Sequence, residues 1–137
     1  NGTEIIFACG GSMFSSIVSA ASANDLFVVG VDVDQSYESE TVVTSALKGL
    51  VNATSWAIGK FYAGEWDEVG NIATSLGAND DAVGLPTDTW SLESYTIEEY
   101  EAMLASIKDG TVVIDDTVLE ADAVVNAGLE NVEIIYE

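Results

Sequence analysis

The chain's fold is constrained most by one abrupt change of chemistry, from the apolar run Phe27-Val28-Val29-Gly30-Val31 to Asp32-Val33-Asp34-Gln35. The run is rich in β-branched and aromatic residues and short enough to be a buried strand. Its end is polar and carries two carboxylates. A second strand pattern, 4–9, ends in the same way, in Gly10-Gly11-Ser12, and leads into helical spacing over 12–24. Strand, helix, strand in this order predicts a βαβ unit with parallel strands and a right-handed crossover. Open α/β sheets bind ligands beyond the carboxyl ends of their strands. The two polar strand ends therefore aim at one common site.

The rest of the chain continues the alternation. A third strand is expected over 41–46, then a helix over 48–63 with Leu50, Trp56 and Phe61 near one face, stopped by Gly64. Short strands are expected over 71–76 and 82–85, the second ended by Pro86. Thr96-Ile97-Glu98-Glu99 has the form of a capping box and predicts a helix over 96–108. Ser12 is the expected N-cap of the first helix, and Asn24-Asp25 its stop. Strands are expected over 111–114 and 132–136. The stretch 115–131 has no decisive pattern, and Val118 to Ala127 fits helix or loop. At 137 residues there is room for one core, so the expectation is a single α/β unit with strands 4–9, 27–31 and 42–46 in one parallel sheet.

Charge removes several function classes. Against 24 Asp and Glu stand only Lys48, Lys60 and Lys108, giving a net charge of −21. Nucleic-acid binding needs basic groups that displace phosphate counterions, and docking on anionic lipid needs the same sign. Most of the acidity reads as solvated surface. No transmembrane span, signal peptide or lipidation motif is present in the sequence, and its start at Asn1 suggests a processed or truncated piece. The lone Cys9 reads as a buried, inert thiol. With no histidine and no nucleophile elbow, an enzyme has little to work with. A cation site from Asp32, Asp34 and Glu38 lacks the glycine and ligand count of a calcium loop. No cofactor is expected.

Three segments, IIFACGGSMFSSIVSAA, VVGVDVDQSY and VVTSALKGL, together with AVGLPTDTW and YTIEEYEAMLASIKDGTV, resemble the second half of the basic membrane protein family. That family comprises type I periplasmic-binding-protein-like lipoproteins, and its best-known members are purine nucleoside receptors of ABC importers. The likeness runs from about Glu4 to about Asp116, with a weaker match over 131–137. It implies that residues 1–137 are the C-terminal part of a two-lobed binding protein, with the crossing between lobes near 46–48. It also implies an extracytoplasmic location, a lipid anchor outside this chain, and an ABC permease as partner. Helix 48–63 would then pack on the other lobe, and a chain without that lobe would expose the helix's apolar face, which leaves homodimerisation or domain exchange open.

The same resemblance assigns site residues. Asp32 taken alone reads most simply as a turn or cap residue. The family places a ribose-binding carboxylate at the first aspartate of GVD, which reverses that order. Lys48 matches a ribose-contacting lysine, and its expected place in the first turn of a helix is electrostatically unfavourable. Gly10 and Gly11 match a ribose-contacting glycine, although Met13 departs from the family's glycine-rich turn. Asp34 and Gln35 are expected to bond the ligand or shape the loop. The family's aromatic clamp on the purine matches nothing here; Trp56, Trp66, Trp90 and Tyr95 read as packing residues. The sequence thus offers the sugar side of a nucleoside site. A sugar or other hydroxyl-bearing ligand, or a small-molecule-sensing regulator of the same fold, is the alternative.

Overall fold

The computed structural model of the chain describes residues 2–114. Strand β1 (Ile5–Phe7) leads through a 3-10 turn at Gly11–Met13 into helix α1 (Phe14–Ser22), and strand β2 follows (Phe27–Asp32). Strand β3 (Val42–Lys48) is followed by helix α2 (Leu50–Tyr62) and the short helix α3 (Trp66–Val69). A two-residue strand β4 (Val83–Gly84) and helix α4 (Ile97–Lys108) complete the described elements. The sheet order is β1-β2-β3-β4. The first three strands are parallel, as expected, and β4 joins β3 antiparallel through Leu47↔Gly84 and Lys48↔Val83.

The core lies between the sheet and α1. Ala8, Val28 and Val42 supply the sheet side, Phe14 and Ala21 the helix side, with Ile17, Val18 and Leu26 packed around them. Alternation along β1 and β2 sends Ile5, Phe7 and Phe27 to the opposite face, where all three remain exposed. Strand β3 does not alternate regularly. Its register against β2 jumps from Val28↔Val42 to Val29↔Thr44, so Val43 is the extra residue of a bulge. Beyond it the buried position is Ser45, three residues after Val42 instead of two or four.

The punctuation signals are largely realised. Thr96 Oγ1 accepts the Glu99 N–H, and Glu99 returns a bond to the Thr96 N–H, which completes the capping box of α4. At the end of α2, the Gly64 N–H reaches the Phe61 carbonyl and the Glu65 N–H reaches Lys60, a Schellman closure with Gly64 at φ +77°. The first helix stops where Asp25 turns left-handed and Asn24 Nδ2 donates to the Ala20 carbonyl.

Several expectations need correction. Ser12 does not cap α1: it lies inside the 3-10 turn, and no side chain caps either helix start. Residues 71–76 form no strand, because Ile72 and its neighbours acquire no ladder partner among the described residues. Residues 111–114 are likewise unpaired, and Val113 and Ile114 are exposed. Cys9 is exposed, because the core position at the end of β1 goes to Ala8 and the next side chain points away. Lys48 ends strand β3 and does not open a helix, which begins only at Leu50 after Gly49. The expected strand at 132–136 lies outside the described residues.

Candidate functional site

Strands β2 and β3 end side by side, with Asp32 opposite Leu47 in the register. Asp32 adopts φ +74°, the left-handed region that aspartate tolerates better than most residues. The chain therefore turns sharply off the sheet at the carboxylate. Lys48 Nζ lies 2.5 Å from Asp32 Oδ1. Oδ1 is out of solvent and has no other protein partner among the described residues. The contact with Asp32, and then the charge of Asp32, hold the Lys48 ammonium above its ordinary pKa. The lysine side chain remains 61% exposed and the aspartate 44%. Both can still meet a ligand.

The next residues build the loop. Gln35 Oε1 accepts the Val31 N–H, and the Gln35 N–H donates to the buried Ser45 hydroxyl. Gly30 makes this possible: a Cβ there would come within 2.6 Å of Ser45 Oγ and 2.7 Å of Gln35 Oε1. Gln35 therefore shapes the loop. Asp34 Oδ1 accepts the Ser36 N–H, and its Oδ2 accepts the Thr89 hydroxyl at 2.7 Å. Partial burial pushes the Asp34 carboxyl up, but the Ser36 N–H and the Thr89 hydroxyl outweigh it, and its pKa ends below the ordinary value.

These side chains border a cavity of about 450 Å³. One wall is Asp32, Val33 and Asp34 with Leu47 and Lys48; the other is Leu85, Pro86, Thr87 and Asp88. Asp32, Lys48 and Asp34 are thus brought together. Gly10 and Gly11 lie at the end of β1, with Gly11 at φ +55°, and do not border this cavity. The loop 85–88 was missed as a site element. Its signal was the family-like segment AVGLPTDTW, in which Pro86 reads as a strand stop. Among the described residues no three His, Cys, Asp or Glu side chains are grouped to hold a metal ion, so the Asp32, Asp34, Glu38 spacing does not become a metal cluster.

Residues 1–117 match the family model Bmp, described as ABC transporter substrate-binding protein PnrA-like. The chain belongs to this family. Its mixed α/β architecture, with a four-stranded and mostly parallel sheet, is consistent with part of a periplasmic-binding-protein-like lobe. No curated protein sequence matches it. A similar solved structure is that of a transcriptional activator of the comK gene from Bacillus halodurans, with a TM-score of 0.60 at 14% identity. The alignment covers 82% of this chain and 39% of that one, a likeness of fold alone. This Bmp-family chain thus spans well under half of that relative.

Proposed function

We propose that this chain is the sugar-side part of a two-lobed substrate-binding protein that delivers a purine nucleoside to an ABC importer. The observation that carries the reading is the Asp32–Lys48 pair, exposed at the ends of adjacent strands and bordering the cavity. A carboxylate there accepts hydrogen bonds from vicinal hydroxyls, while the ammonium beside it donates to them. Bmp-family membership supports binding without bond-making, an extracytoplasmic setting and a permease partner. Gly10 and Gly11 remain candidates for a ribose contact from outside the cavity. The crossing between lobes falls, on this reading, at 46–48, where β3 ends and Gly49 leads into α2. A ligand normally buries most of its surface in its cleft. The chain by itself therefore binds nucleoside weakly, and closure of a second lobe supplies the remainder.

The test is calorimetry on the two-lobed protein with guanosine and with its 2′,3′-dideoxy analogue. Asp32→Ala should weaken guanosine binding by about 1.5–3 kcal/mol, the usual worth of hydrogen bonds to a charged group. The dideoxy analogue should bind poorly to the wild type and be indifferent to the substitution. Equal affinity of wild type and Asp32→Ala for guanosine would remove the ribose role. Binding of free sugars in place of nucleosides would favour the sugar reading.

A further inference from the structure

The loop 85–91 supplies the second wall of the cavity through residues 85–88, and three hydrogen bonds pin it. The Leu85 N–H donates to the Tyr100 hydroxyl at 2.9 Å, which ties the loop's start to α4. The Ser91 hydroxyl donates to the Val43 carbonyl at 2.7 Å, which ties its end to β3. Between them the Thr89 hydroxyl donates to Asp34 Oδ2 at 2.7 Å, across 55 residues of sequence. Only this middle bond reaches the loop that carries Asp32. Pro86 is buried, whereas Thr87 and Asp88 are exposed and border the cavity. Trp90, which follows Thr89, is fixed by its indole N–H to the Tyr95 carbonyl and by rings of Tyr95 and Tyr100 at 6.0 and 5.5 Å.

We infer that Asp34 and Thr89 are positioning residues: their hydrogen bond sets the distance between the 85–88 wall and the Asp32–Lys48 pair. Both Asp34 oxygens are occupied by protein donors, Ser36 N–H on one and Thr89 on the other, so this carboxylate is spent on holding the two loops together. Loss of the bond frees the middle of the wall while its two ends stay anchored. The cavity then widens without any change in the groups that face the ligand. The inference rests on reading the cavity as the ligand site.

The test compares the full chain with Thr89→Val, Thr89→Ser and Asp34→Ala by hydrogen exchange and by NMR titration with guanosine, a method suited to weak binding. Thr89→Val should speed exchange of the 85–91 amides several-fold, and weaken guanosine binding by about three- to tenfold, as expected for one hydrogen bond. Thr89→Ser restores the hydroxyl and should match the wild type in both readouts. Asp34→Ala, which also loses the Ser36 N–H bond, should speed exchange at least as much as Thr89→Val, and adding Thr89→Val to it should worsen neither readout further. Unchanged exchange in Thr89→Val overturns the latch. Faster exchange with unchanged affinity overturns its role in positioning. A wild-type chain that perturbs no resonance with guanosine counts against the functional reading, and the exchange comparison then decides the latch by itself.

Discussion

The ends of β2 and β3 and the helix α2 are adjacent in sequence and opposite in character. At the strand ends, Gln35, Ser45, Asp34, Thr89, Asp32 and Lys48 are all engaged with one another or with nearby backbone. Helix α2 buries none of its residues. Val51 is 78% exposed and Tyr62 82%, with Leu50, Ile58 and Phe61 also on the surface. Among the described elements its main packing partner is α3, where Phe61 meets Trp66 edge-on. It is also free of acidic residues, in a chain whose net charge is −21. The first region is a finished polar construction; the second is an apolar surface that lacks its complement among the described residues. Specific chemistry is thus held within the chain, and stability of the helix is left to a further surface.

The largest expected effect breaks the finished region. Gly30→Ala forces a methyl against Ser45 Oγ and Gln35 Oε1, and should cost about 1–3 kcal/mol by overpacking, read as a lower midpoint in denaturant. Unchanged stability would mean that the Gln35 loop is loosely seated. The corresponding change in the unfinished region should be far milder for the folded chain. Phe61→Glu at an exposed position should shift monomer stability by only about 0.5 kcal/mol or less. It should nonetheless lower self-association, which in the wild type should strengthen with salt as the acidic chains are screened from one another. Sedimentation at low and high ionic strength checks this, and a wild type that stays monomeric at both would show that α2 does not drive association.

The smallest effect concerns acid. Asp34 has a folded pKa below its unfolded value, so its contribution is fully present above the unfolded value and is lost as pH falls through the folded one. Asp34→Asn should therefore flatten the acid side of the stability profile slightly and leave its neutral region nearly level. A steeper acid limb in the variant would contradict the sign.

Local signals were readable wherever the deciding partner lies within a few residues. Thr96 and Glu99, Gly64, and the stop at Asn24-Asp25 are all of this kind. The parallel order of the first three strands also followed from pattern. Residues 71–76 show why the reading fails elsewhere: alternating Ile72, Thr74 and Leu76 describe a surface suited to pairing and do not supply a partner. Lys48 was placed in a helix because the apolar spacing after it is helical, while the ladder to β4 that keeps it in a strand comes from Val83. In the site, Asp32 and Lys48 were legible through family resemblance more than through residue chemistry. The Asp34–Thr89 bond was not legible at all, since nothing local to Thr89 marks a partner 55 residues away.

The bulge at Val43 gives this sheet two phases along one strand. Before it, Val42 faces α1; after it, the buried position falls on Ser45, where uninterrupted alternation would have put Thr44. The single supernumerary residue thus decides which hydroxyl meets Gln35 and which carbonyl Ser91 finds. Substitution at Val43 changes little of this, because the bond to Ser91 uses the main chain. Deletion changes all of it at once. For a lineage carrying this sheet, a one-codon loss at that point would be a frame error in three dimensions, keeping an apolar strand while scrambling the alignment of everything downstream that borders the cavity.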